Sequence, residues 1–111
     1  MKLAAPTLLL ILAMLGAPAL AADAGPAAIA SLGQINGIAL ACQQPALASR
    51  ARNAVQTTAP KTRASGEAFE QATNDAFLAQ GKGAACPDVA TLAGRLKEAE
   101  SQLQEAYKTA R

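Results

Sequence analysis

Beyond residue 26 the apolar positions recur at steps of three and four, the spacing of one helix face. The clearest run is Val89, Leu92, Leu96, Ala99, Leu103, Ala106 and Ala110, which predicts a long amphipathic helix. Pro87 stands where a first helical residue belongs, Asp88 adds negative charge to the first turn, and Lys108 and Arg111 suit the C-terminal end. Such a seam also serves coiled coils, which would give a weak homodimer. With about three heptads and alanine at several seam positions, it favours packing within one chain.

Upstream, Ile29, Leu32, Ile35, Ala39 and Cys42 share a face and predict a helix over about residues 27–43. Gly33, Gly37 and Ala41 follow at steps of four on an adjacent ridge, where a neighbouring backbone can approach closely. Each glycine costs about 1 kcal/mol of helix stability against alanine, so the ridge makes sense only if another helix covers it. The last helix, across Leu92 and Leu96, is the expected cover. Asn36-Gly37 is also a hairpin signal, but its flanks do not alternate and are rich in alanine, which strands disfavour.

Two weaker helices lie between. One starts at Pro45, carries Leu47, Ala51, Ala54, Val55 and Thr58 on one face, and stops near Ala59 because Pro60 follows. Residues 61–66 are polar and read as a turn. A third helix then gathers Phe69, Ala72, Ala76 and Phe77 before Gly81-Lys82-Gly83 ends it.

The N-terminus adds a compartment. Lys2 precedes the apolar run Leu8–Leu15, and Gly16, Pro18 and Ala19-Leu20-Ala21 follow, which predicts a cleavable secretory signal over residues 1–21. An uncleaved anchor is the alternative; the dense apolar run is short for a membrane span and prolines interrupt its flanks. Cleavage leaves a single helical domain, residues 22–111, with a thin, alanine-rich core, periplasmic or secreted and without stable membrane insertion. In an oxidising compartment the two cysteines predict one disulfide, Cys42–Cys86. Cys42 closes the first helix and Cys86 precedes the last. The expectation is therefore an all-α fold, a small antiparallel bundle of about four helices running up-down-up-down, with first and last helices adjacent.

Composition argues against most chemistry. Histidine is absent and both methionines lie in the signal, so soft and imidazole metal ligands are missing from the mature chain. Glu67, Glu70, Asp75, Glu98, Glu100 and Glu105 do not form an Asp-rich loop. Without histidine no Ser or Cys has its usual base, and Gly81-Lys82-Gly83 lacks the rest of a phosphate loop. We expect no enzyme, no metal and no cofactor. Asn36 is the polar residue most worth following inward, as a satisfied core amide or as a group that orients a small ligand within the bundle; Tyr107 carries the same ambiguity.

Charge narrows the partner. The 1–21 segment takes only Lys2 with it, leaving nine basic and eight acidic residues, and no aromatic interleaves with the basic ones, which disfavours nucleic acid. Arg50, Arg52, Lys61 and Arg63 occur without an acid over residues 45–66, while 67–80 hold Glu67, Glu70 and Asp75 without a base. Either the second and third helices pair these charges, or the basic set forms a patch for an acidic partner or anionic lipid head groups. The candidate interaction residues are Gly33, Asn36, Gly37, Arg50, Arg52, Lys61 and Arg63. In outline this small, exported, helical chain with one long-range disulfide resembles the periplasmic acid-stress chaperones of enteric bacteria. The likeness is of architecture only. The signal, the disulfide and the lack of catalytic or ligand chemistry lead us to expect a non-enzymatic protein that works by protein contact, as a chaperone-like or accessory subunit of an envelope complex. A small-ligand-binding bundle is the alternative.

Overall fold

The computed structural model describes residues 23–108; the signal segment expected over residues 1–21, and Ala110 and Arg111 of the last seam, lie outside them. Four helices account for the described chain: α1 Ala24–Ala41, α2 Pro45–Thr58, α3 Arg63–Gly81 and α4 Val89–Lys108. The described residues contain no strand, and α1 runs unbroken through Asn36-Gly37 where a hairpin would have turned.

Local chemistry sets the boundaries. Pro26 sits in the first turn of α1, where an N–H has no intrahelical acceptor to lose. At the other end Gln43 takes a left-handed backbone, φ 59°, so that Gln44 N–H reaches back to the Ala39 carbonyl at 2.7 Å and Gln43 N–H to Leu40 at 3.4 Å. This is the Schellman closure with glutamine in the place glycine usually fills. Pro45 then opens α2 at once. α3 begins at Arg63, ahead of the turn expected over residues 61–66, because Thr62 is an N-cap whose Oγ1 accepts from Ser65 N–H at 3.2 Å. Before α4 the Asp88 carbonyl accepts from Leu92 N–H at 3.1 Å, and its carboxylate accepts from the Thr91 hydroxyl, which holds the Asp88 pKa below its usual value.

Ile29, Leu32, Leu92, Leu96 and Leu103 are fully buried, with Ile35, Ala39, Ala51, Val55, Phe69 and Ala99 in the same core. α1 is the organising helix. It packs extensively against each of the other three, α2 and α4 also meet, and α3 makes its extensive contact with α1 alone. The Cys42–Cys86 disulfide joins the end of α1 to the approach of α4.

One expectation is corrected. The Gly33/Gly37 ridge is covered by α3, not by the last helix: Gly33 faces Phe69 and Ala72, and Gly37 faces Thr73, Ala76 and Phe77. Both sets ascend together, so α1 and α3 run parallel. The reason is complementarity of shape. α4 presents leucines, which fill space beside other large side chains, whereas a ridge without side chains fits a helix that offers methyls and bare carbonyls.

Candidate functional site

Three of the sequence-predicted candidates come together in the α1/α3 seam. A Cβ on Gly33 would stand 2.5 Å from the Phe69 carbonyl oxygen and 2.8 Å from the Ala72 methyl. One on Gly37 would run into the Thr73 carbonyl oxygen and lie 2.9 Å from the Ala76 methyl. The two backbones are thus in contact over a full turn. Between them Asn36 is fully buried, and its Nδ2 donates to Thr73 Oγ1 at 3.1 Å while Thr73 donates in turn to the Phe69 carbonyl at 2.8 Å. The Asn36 Oδ1 has no partner among the described residues. Such an acceptor costs about 1–3 kcal/mol against one that is bonded.

The basic candidates are spent on separate contacts. Arg50 forms a two-bond fork with Glu100 of α4, at 2.9 and 2.7 Å, which raises the Arg50 pKa above its usual range. Arg52, on the other flank of α2, lies 5.9 Å from the centre of the Phe69 ring on α3. Lys61 Nζ donates to the Gln56 carbonyl at 2.6 Å near the C-terminus of α2, and Arg63 is exposed at the start of α3. The opposite charges of α2 and α3 do not pair. Among the described residues the ion pairs are Arg50–Glu100 and Lys108–Glu105, so the α2 charge is matched from α4. Tyr107 lays its ring over Gly25 at the start of α1, a packing role. No three His, Cys, Asp or Glu side chains among the described residues gather as a metal site.

Sequence reasoning missed an apolar pole. Leu40, Phe77, Leu78 and Val89 are 44%, 46%, 54% and 50% exposed. They lie near the end of α1, the end of α3 and the start of α4, the same end of the molecule as the disulfide. The spacing of Phe77 and Val89 puts them on core faces. Helix ends overrun the core, so a periodic position in a terminal turn keeps its phase and loses its cover. Leu78 carried a signal, since it falls off the Phe69/Ala72/Ala76 face, and so did Leu40, which is outside the Ile29/Leu32/Ile35/Ala39 set. Charge is sparse here: Lys82 and Asp88 are the only ionisable side chains over residues 76–91 apart from the disulfide.

Comparison with known proteins finds no match: no family model, curated protein or solved structure matches this chain.

Proposed function

We propose that the chain is exported, loses residues 1–21, folds with its helices alternating in direction, and works without catalysis by contact with another protein, as a chaperone-like or accessory subunit of an envelope complex. The observation that carries this reading is the apolar pole. Four half-exposed large apolar side chains at one end, with little charge among them, are the surface of a protein that meets an apolar partner. The disulfide favours an oxidising compartment, and no helix of the described residues is long and apolar enough to cross a membrane. Contact is favoured over a ligand held at Asn36 because that side chain is fully buried and already bonded across the seam.

The test is a photo-reactive residue at Leu78, with Gln56 on the exposed side of α2 as control, followed by native mass spectrometry of the protein from its own compartment. A partner cross-linked from Leu78 and not from Gln56 is the expected result. A co-purifying small molecule with no protein partner would overturn the reading.

A further inference from the structure

α1 is covered by α2 and α4 on one side and by α3 on another, and the arc between α3 and α4 is open. Clefts of about 170, 380 and 710 Å³ lie along it. Ser31 lines all three, Gln34 lines two, and Gln102 of α4 lines two, so they are stretches of one continuous groove. Its floor is α1, which at 1.5 Å per residue is about 27 Å long. Its walls are Ala72 and Ala76 of α3 and Ala99 and Ala106 of α4, with Ile35 and Ile38 at its deep edge.

We propose that this groove seats an amphipathic helix from a partner protein, one with an aliphatic stripe flanked on both sides by basic residues. This goes further than contact at the pole, since it uses a different surface, and it rests on the reading that the protein acts by protein contact. The occupant is helical because helical surfaces line the groove and offer no free backbone edge. An extended peptide would find no backbone edge to pair half its own amides with, whereas a helix satisfies them internally. α3 and α4 make no extensive contact with each other, which leaves the arc over α1 open to it. Charge selects its flanks. Among the described residues, Asp75 stands on the α3 wall and Glu98 on the α4 wall without a cation partner, Glu105 shares its charge with Lys108 at 3.5 Å, and Arg95 is the base lining the groove. An acid on each wall meets a base on each flank of the incoming helix.

The probe is a synthetic 18-residue peptide with leucine and alanine at every third and fourth position and lysines on both flanks, beside a counterpart whose flanks are glutamates. Both are titrated into the mature, disulfide-intact protein and followed by amide NMR. The lysine peptide should shift Ser31, Gln34, Ala72 and Gln102, and the glutamate peptide should not. Asp75→Lys with Glu98→Lys, both exposed sites, should weaken binding about tenfold. Gln34→Trp should block it without any change of charge, and the Leu78→Asp pole variant should bind as the parent does. Equal binding of both peptides, shifts confined to the pole, or unaffected binding by the charge variants would overturn the proposal. So would a homodimer that protects Gln34 in the absence of peptide. A cross-linked partner at Leu78 together with no peptide in the groove would defeat this inference and leave the pole reading standing.

Discussion

The same helix is held by two contacts of opposite construction. Toward α2 and α4, α1 presents Leu32 and Ile35 to a core that also holds Leu92, Leu96 and Leu103, and the gain comes from large side chains leaving water. Toward α3 it presents Gly33 and Gly37, and α3 answers with Ala72, Ala76 and two backbone carbonyls. Little apolar area is buried there beyond Phe69. The seam gains instead from close approach and from the Asn36–Thr73 hydrogen bond. A leucine core tolerates small adjustments because side chains can rotate. A seam of backbone against backbone cannot, so it specifies its partner sharply while contributing less to stability.

The largest effect tests both contacts together. The disulfide closes a loop with a sequence separation of 44 that contains α2 and α3. Its loss by Cys42→Ser with Cys86→Ser should cost about 4 kcal/mol on the chain-entropy account, of the order of a small domain's whole stability. Denaturant unfolding of the variant measures it, and non-reducing peptide mapping of freshly isolated protein should show the linked pair. Native-state hydrogen exchange should then show α3 opening at lower free energy than α4, because α3 makes extensive contact with α1 only, whereas α4 packs on both α1 and α2. Equal opening energies would mean that the two contacts form one cooperative unit.

The next prediction sets a glycine of the seam against a glycine of open surface. Gly37→Leu should destabilise by about 3 kcal/mol, the upper part of the range for overpacking, because the obstacle is the backbone of α3 and cannot swing aside. Gly94→Ala on the exposed side of α4, where an added Cβ meets nothing within 4 Å, should stabilise by up to about 1 kcal/mol through helix propensity. Thermal midpoints give the signs. A rise for Gly37→Leu would place the ridge against water and undo the seam.

How far this was legible in the chain follows from the same contrast. Leu92, Leu96, Leu103, Leu32 and Ile35 declare their face by spacing, so the helices, the core and the Cys42–Cys86 pairing could be read directly. The ridge was legible as a site of close approach, but its partner was not. Spacing shows that something must lie against Gly33 and Gly37, and only the shapes of the available helices decide that it is α3. Arg50 likewise announced a charge to be matched, yet nothing in the sequence pointed to Glu100, which is fixed by how α2 and α4 sit together. The groove between α3 and α4 was invisible because it is made of residues that each helix leaves over.

Asn36 offers a smaller effect of unexpected sign. Asn36→Leu removes one hydrogen bond, worth about 1 kcal/mol, and also removes an unpartnered buried acceptor that costs about 1–3 kcal/mol, while Thr73 keeps its bond to the Phe69 carbonyl. We expect a net stabilisation of about 1 kcal/mol, seen as a raised denaturant midpoint. Hydrogen exchange of α3 should become less uniform, since the polar pair that fixes its register is gone. A loss of stability would instead mean that Oδ1 finds a partner in solution, such as a buried water.

Acid should divide the two contacts by the smallest margin. The Thr91 hydroxyl lowers the Asp88 pKa from its usual 3.8, at the cap of α4. A carboxylate whose folded pKa is depressed contributes stability that is fully present above its unfolded pKa and is lost as pH falls through the folded value. Wild type should therefore exceed Asp88→Asn by a constant small amount at neutral pH, and the difference should vanish well below pH 3.8. The seam holds glycine, alanine, asparagine and threonine, with no titrating group between its two backbones. Acid should accordingly loosen the first turn of α4 while leaving α3 on α1. Hydrogen exchange near pH 3 compared with neutral pH reads both ends at once, and a selective release of α3 in acid would show that the seam depends on a charge its neighbours supply.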